Sequence, residues 1–316
     1  LGYCRRTEKA FAPLTNHFLI LQATTSPSVI SISLVTPSFN QADFLDAAIR
    51  SVVSQAHPAL QYVLMDGGST DGSQEIIERY RKSFHHVCSG PDKGQYDAIN
   101  KGFALTDGSL MGWLNSDDMH MPWTLSMVGE IFSLFPEVRW LTTRFPIRWD
   151  AAGRAVNCTD VRGYSREGIL RGETLPGAEG FTTWPIQQES TFWRRDLWEE
   201  VGGALDVSLD AAADFDLWMR FAKVAEPFAI SVPLGGFRRH GNQKTSKALE
   251  RYQAQAMSSF RRHGKKLAAG IMRNFCRDRL PCALYPIARV AGWLHTAKVI
   301  QRTRDNSAWV IHEVSV

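Results

Sequence analysis

The sequence predicts an α/β fold with an open, mostly parallel sheet flanked by helices, and three observations support this. Apolar runs rich in β-branched residues alternate with amphipathic helical stretches through the first 118 residues. Several runs are apolar at nearly every position, as suits strands covered by helices on both faces. Each run then empties into a polar loop of Asp, Gly and Ser, at the edge where open α/β sheets gather their ligand groups.

The 316 residues are 44% apolar and 22% charged, which excludes a disordered chain and allows a sizeable core. Cys4, Cys88, Cys158, Cys276 and Cys282 are scattered, with no CxxC or zinc-type spacing. That pattern argues against a disulfide framework and suggests a reducing compartment. No stretch is long and apolar enough to span a bilayer. The chain begins at Leu1, which leaves the true N-terminus open, and Phe18–Leu21 is too short for a signal-peptide core. The net charge of +4 is unevenly placed. Residues 1–250 hold 24 Lys+Arg against 29 Asp+Glu, and residues 251–316 hold 12 against 3. A basic tail of this kind can meet acidic lipid headgroups or nucleic acid, or can equally be a solvated face. Nucleic acid is not an expected partner.

Residues 1–28 read as an irregular lead-in. Val29–Thr36 is the first strand, and Pro37-Ser38-Phe39-Asn40 turns the chain. Asp43 is placed to cap a helix whose apolar face is Leu45, Ala48, Ile49, Val52 and Val53. Leu60–Met65 is a second strand, and Asp66-Gly67-Gly68-Ser69-Thr70-Asp71-Gly72-Ser73 is a loop by composition. A helix with Ile76, Ile77 and Tyr80 follows, then a short strand at His86–Cys88 and a loop over Ser89–Gly94. Tyr96–Ala104 is helical, and the strand Leu110–Leu114 stops at Asn115-Ser116-Asp117-Asp118. Two adjacent carboxylates repel unless a cation or ligand donors neutralise them. Asp66, Asp92 and Asp117-Asp118 all fall at one sheet edge.

Neither GxGxxG nor GxxxxGK[ST] occurs, so these loops do not cradle phosphate directly. An acidic site needs a cation between itself and a phosphorylated ligand. Asp66 and Asp92 suit acceptance from an imino N–H or ribose hydroxyls. A nucleotide diphosphate with a bridging cation satisfies the whole set.

Thr36-Pro37-Ser38-Phe39-Asn40, the Asp66–Ser73 loop, Asp92-Lys93-Gly94 with Asp97-Ala98-Ile99-Asn100-Lys101-Gly102, and Asn115-Ser116-Asp117-Asp118 occur in that order. The ordered set resembles the family 2 glycosyltransferases of the GT-A fold, over roughly residues 30–245. The resemblance implies that Thr36 and Pro37 line a nucleotide pocket, that Asp66 contacts the base and that Asp92 contacts the nucleoside. It implies that Asp118 ligates manganese or magnesium and that Asp117 sits near ribose or donor sugar. Asp71 and Asp97 read as loop and helix caps. Gln187–Arg195 is similar to the family's Q-x-S/T-x-F-x-R-R stretch, with Gln188 facing the sugar. Ala213–Arg220 resembles its ED segment, in which Asp214 is the catalytic base, although Ala213 replaces the usual acid. Read alone, Asp214 is equally an N-cap, and Asp216 is a first-turn helix charge. Gly235–Gln243 carries an R-x-H, which implies His240 in the metal shell and Arg238 on phosphate, with Arg239 or Lys244 as substitutes.

Elsewhere, Leu125–Phe135 is a helix, Trp140–Trp149 is strand-like in part and residues 150–180 form a long loop region. Trp184 is core or sugar platform. From Ala248 the chain is helical, with Tyr252, Ala256 and Phe260 in phase; Trp293 beside Arg289 and Lys298 suits an interfacial helix, and packing of these apolar residues onto the catalytic domain explains the pattern equally well. The expected organisation is a lead-in (1–28), a nucleotide-sugar-binding half (29–118), an acceptor and catalytic half (119–247) and a basic helical extension (248–316). The expected function is inverting transfer from a nucleotide-diphosphate sugar, UDP-sugar favoured, to a hydroxyl of a glycan or lipid-linked acceptor in bacterial-type polysaccharide or glycoconjugate synthesis. The expected location is cytoplasmic, peripheral at the inner face of the membrane. A metal-dependent nucleotidyltransferase would want a Gly-rich basic loop where Thr36–Asn40 stands. Against a non-catalytic nucleotide-sugar or glycan-binding module stands the joint presence of Asp66, Asp92, Asp118, Asp214 and His240.

Overall fold

The computed structural model describes residues 29–177, 185–241, 243, 248–265, 284–290 and 294–316. Strand and helix alternate through the first half: β1 (Ile32–Ser38), α1 (Ala42–Val53), β2 (Leu60–Asp66), α2 (Ser73–Arg79), β3 (His86–Ser89), α3 (Gln95–Phe103) and β4 (Leu110–Trp113). β1 pairs in parallel with β2 on one side and β4 on the other, and β2 pairs in parallel with β3. The observed β1 starts three residues later than the sequence suggests, leaving Val29 exposed, and runs on through Pro37 to Ser38.

Inner strand positions are apolar on both faces. Ile32, Leu34 and Leu110 face a core shared with α1, while Val35, Met111 and Trp113 face the core on the opposite side. α3 lies so close to β1 that a Cβ on Gly102 would stand 2.6 Å from Val35, so the helix seats only because glycine is there. The expected Asp43 cap on α1 is not formed. Gln41 is the N-cap, and the carboxylate of Asp71 accepts the Ala42 N–H at 2.8 Å instead. The orphan N–H is met from the neighbouring loop rather than from the helix's own first turn.

The second half holds β5 (Met119–His120), α4 (Thr124–Leu134), β6 (Trp140–Thr143), β7 (Ile147–Trp149), β8 (Ala155–Cys158) and α5 (Arg166–Leu170). It continues with β9 (Phe192–Arg194), α6 (Arg195–Glu200), α7 (Ala213–Val224), β10 (Pro227–Ile230) and β11 (Gly235–Arg238). Among the described residues the main sheet has nine strands, in the order β13 (Trp309–Ser315), β12 (Thr296–Arg302), β10, β6, β9, β4, β1, β2, β3. β9 runs antiparallel to both its neighbours, and β13 is antiparallel to β12. A four-stranded sheet, β5-β11-β7-β8, stands beside it. The stretch read as partly strand-like is therefore two strands in two sheets, and residues 150–180 contain β8 and α5.

The helical expectation for the C-terminal extension needs correction. α8 (Leu249–His263) and the short α9 (Tyr285–Val290) are helices, but the chain ends in the β12–β13 hairpin, which joins the main sheet beside β10. Ala297, Val299 and Ile300 are buried there, so the apolar positions of this strand complete the sheet. Among the described residues, cations of the tail meet acids of the body: Arg251 with Asp210, Arg262 with Asp206, Lys265 with Glu167 and Arg302 with Glu130. The opposite net charges of body and tail are thus partly complementary within the fold. Residues 1–28, Trp184, Lys244 and Trp293 lie outside the described residues. Among the described residues no helix is long and apolar enough to cross a membrane.

α8 is anchored on α7 through Asp216, which is buried. Its carboxylate meets Arg220 at 2.9 Å, Ser259 at 2.7 Å, His263 at 3.2 Å and Arg262 at 3.3 Å. Breaking a buried ion-pair cluster by removing one partner costs about 3 kcal/mol. Asp216→Ala is expected to lower unfolding free energy by roughly that amount in a urea titration.

Candidate active site

A cavity of about 930 Å³ lies at the carboxyl edge of β1, β2 and β4. Pro37 and Ser38 at the end of β1 and Phe39 after it, Gly67 after β2, Pro91 and Asp92 after β3, and Asn115 to Asp117 after β4 line it. Gln187 to Glu189, Asp214 and Tyr252 close the other side. Strand ends and the N-terminus of α7 thus supply most of the polar wall.

The β1 and β2 loops are knitted together. Asn40 adopts a left-handed conformation (φ 50°), which asparagine tolerates, and its side-chain oxygen accepts the Thr70 N–H. Its own N–H donates to Ser69 Oγ. Asp66 is buried within this network. Its carboxylate accepts from Ser69 Oγ (2.5 Å), Gln74 Nε2 (2.5 Å) and Ser89 Oγ (2.7 Å). Asp66 therefore organises the loop and does not line the cavity; Gly67 does. Thr36 is likewise buried, hydrogen-bonded to the Tyr62 hydroxyl, while Pro37 reaches the cavity. Asp92 lines the cavity and accepts the Gly94 N–H at 2.7 Å. Asp71 and Asp97 cap and pair locally, as their surroundings suggested.

The adjacent aspartates divide. Asp118 is fully buried, with Oδ1 accepting the Arg238 backbone N–H at 2.8 Å and Oδ2 the Asn115 amide at 3.2 Å. Burial, and then the charges of Asp117 and Glu189, push its carboxyl well above the usual range. Asp117 lines the cavity, and its Oδ2 stands 3.0 Å from His240 Nε2. His240 packs on Phe44, with ring centroids 4.2 Å apart, and stands beside Asp117 without itself lining the cavity. Arg238 is also turned away: its guanidinium lies over the Phe44 ring, 5.1 Å from the centroid. The guanidinium-bearing residues that line the cavity are Arg239 and Arg148, and burial and then Arg239 lower the Arg148 pKa.

A carboxylate and an imidazole 3.0 Å apart are a suitable O,N donor pair for a divalent cation. No group of three or more His, Cys, Asp or Glu that could hold a metal occurs among the described residues.

Asp214 stands in the first turn of α7 but does not cap it; Ala212 is the N-cap. Its Oδ2 accepts from the Tyr252 hydroxyl at 3.3 Å. Tyr96 lines the cavity beside it and donates to the Ala211 carbonyl. Burial and then the Asp214 charge hold both phenols well above their usual pKa. Tyr252 comes from α8, so the C-terminal extension completes the site. Its helical phase marked it only as buried; the missed signal was a phenol needing a partner. Gln188 faces the cavity from a single 3-10 turn, Gln188–Ser190, its Nε2 donating to the Trp113 carbonyl at 2.5 Å. Beneath lies a tryptophan floor, in which Trp218 stacks on Trp113 (6.1 Å, 7°) and on Trp140 (5.6 Å, 19°).

Residues 33–134 match the family model described as glycosyl transferase family 2. A Mycobacterium tuberculosis protein described as an uncharacterized glycosyltransferase is 29% identical over 220 residues, spanning 68% of this chain and 77% of that one. Together these matches support a family 2 glycosyltransferase. This glycosyltransferase is also 33% identical over 90 residues to the putative teichuronic acid biosynthesis glycosyltransferase TuaG of Bacillus subtilis, 28% of this chain and 36% of that one. Its GT-A fold is shared with Staphylococcus aureus TarS 1–349 in complex with UDP-GlcNAc, at a TM-score of 0.56 and 15% identity over 81% of this chain and 78% of that one. The mannosyltransferase of Pyrobaculum calidifontis in complex with GDP-Man and Mn2+ superposes at a TM-score of 0.54 and 15% identity, over 83% and 79% of the two chains.

Asp118 and Asp117 are expected to respond differently to truncation. Asp118→Ala leaves a buried N–H without its acceptor and should lower stability by about 2 kcal/mol. Asp117→Ala, at the cavity lip, should stay within about 1 kcal/mol. Urea titrations in chelator compare the two directly.

Proposed function

We propose that this glycosyltransferase is an inverting enzyme that moves a sugar from a UDP-sugar to a hydroxyl of a glycan or lipid-linked acceptor, in bacterial polysaccharide or glycoconjugate synthesis. The observation that carries the reading is that the nucleotide-type loops at Phe39, Gly67 and Asp92, the Asp117 lip and the Asp214 carboxylate all open on one cavity. Phe39, 59% exposed on the cavity wall, offers a face on which uracil stacks. Asp92 takes a nucleoside donor group. Asp117 and His240 would hold manganese or magnesium, which would supply Lewis-acid neutralisation of the leaving diphosphate. Arg239 and Arg148 meet the same phosphates in the role expected of Arg238. The relatives complexed with UDP-GlcNAc and with GDP-Man and Mn2+ support a nucleotide-sugar donor and a cation.

Asp214 acts as general base. It removes the proton from the acceptor hydroxyl as that oxygen attacks the anomeric carbon on the face opposite the diphosphate. The bond to the diphosphate oxygen breaks in the same displacement, so configuration inverts. The Tyr252 hydroxyl holds the Asp214 carboxylate in place. The proposal also sets the enzyme on the cytoplasmic side, peripheral to the inner membrane face through residues 251–316, whose excess positive charge suits acidic headgroups.

A thermal-shift panel of nucleotides and UDP-sugars with and without manganese tests the donor and the cation together, because a ligand of the native state raises its melting temperature. The expected result is stabilisation by UDP and UDP-sugar that chelator abolishes; indifference to chelator counts against the cation. Phe39→Ala should weaken UDP about tenfold. Asp214→Asn should bind donor as before and turn over about a hundredfold or more slower; unchanged turnover removes Asp214 from the role of base.

A further inference from the structure

Asp92, Asp117 and Asp214 each have a task in the reading above, but Glu189, a fourth acid of the cavity wall, has none. Glu189 is 3% exposed, and its Oε1 is buried with no hydrogen-bond partner among the described residues. A carboxyl oxygen held in this way is costly in the empty protein and is explained by a group that arrives from outside. The residue before it repeats the pattern. Gln188 spends its Nε2 on the Trp113 carbonyl, which orients the amide and leaves Oε1 buried with no donor. Two consecutive residues of one turn thus keep an unused oxygen beside the same cavity.

The turn cannot easily move to find other donors. A Cβ on Gly235 of β11 would stand 2.6 Å from the Glu189 carbonyl oxygen, so backbone meets backbone there with no slack. Glu189 is close enough to Asp117 and to Asp214 for both charges to act on it, after burial itself, in raising its pKa. It shares the cavity wall with the acid assigned to the diphosphate end and the acid assigned to the attacking hydroxyl. Phosphate is repelled by such surroundings, and the base is accounted for near Phe39 and Asp92. What belongs between the leaving group and the attacking oxygen is the transferred ring, a neutral body rich in hydroxyl donors.

We propose that Glu189 is a specificity-determining residue whose carboxyl hydrogen-bonds a ring hydroxyl of the transferred sugar, with the Gln188 amide oxygen taking a neighbouring hydroxyl. The proposal rests on the UDP-sugar reading above. Calorimetric titration of the full chain, in manganese, with UDP and with UDP-glucose, UDP-galactose and UDP-N-acetylglucosamine tests it. Glu189→Leu should weaken the best-binding UDP-sugar about tenfold while UDP itself changes less than about twofold; Glu189→Gln, which keeps a hydrogen-bonding group, should stay within about threefold for both. Among analogues of that sugar nucleotide each lacking one ring hydroxyl, one should bind the native chain about tenfold more weakly and the leucine variant no more weakly still. Parallel loss of UDP and UDP-sugar in Glu189→Leu, or no loss of either, overturns the assignment while leaving the donor reading intact. Failure of the native chain to bind UDP and all three UDP-sugars overturns the donor reading, and this inference falls with it. If the leucine variant does not fold, Glu189→Ala is read in the same way.

Discussion

The site depends on one buried hydrogen bond, from the Arg238 backbone N–H to the Asp118 carboxylate. Asp118 follows β4 of the main sheet, and Arg238 ends β11 of the small one. The bond therefore clasps the two sheets where they diverge, and the cavity is the space left in front of that clasp. Its direction decides the neighbours. With Arg238 turned inward onto Phe44, Arg239 faces the cavity, and His240 comes to stand beside Asp117. The cost is a buried carboxyl near two other acids, which a backbone donor, the Asn115 amide and the nearby Arg238 charge offset.

Behind the clasp the wall is stiff. Trp113 belongs to β4, carries the carbonyl that orients Gln188, and lies on the stacked ring of Trp218 from α7. Asp214 is on the same helix as Trp218, one turn earlier. Floor, sugar-facing turn and proposed base are therefore parts of one packed unit, so a polar group set in it needs little reorganisation during reaction. α8 locks that unit from outside, through Asp216 at one point and through Tyr252 on Asp214 at another.

The strand ends and their acidic loops were legible in the sequence because period and punctuation are local properties. Which of two adjacent aspartates turns inward was not. Asp117 and Asp118 have nearly the same local chemistry, and the choice is made by a backbone N–H 120 residues further along. The surroundings of Asp66 were hidden for a related reason. Backbone N–H groups and a serine of its own loop, and Ser89 of β3, donate to its carboxylate, and the last of these is brought there by the sheet. Glu189 was hidden by its neighbour, since Gln188 carried the recognisable position. The closing hairpin was masked by composition: Thr296–Arg302 holds lysine and arginine among its apolar residues, and basic charge reads as surface until the partners are seen.

Those partners also bear on how charge is distributed across the molecule. The acidic body and basic tail draw together through pairs such as Arg262–Asp206 and Lys265–Glu167. Exposed pairs of this kind add little stability individually, so their effect is on register rather than on strength. The consequence is local. Placing α8 correctly brings the Tyr252 hydroxyl to Asp214, so the proposed base has a neutral hydrogen-bond donor on that side. Arginines instead reach the cavity from β7 and from the residue after β11. The cavity is thus basic where Arg148 and Arg239 converge and acidic or neutral along the Gln188, Glu189 and Asp214 wall. A ligand that is anionic at its middle and hydroxyl-rich at its end matches that division, and a uniformly charged one does not.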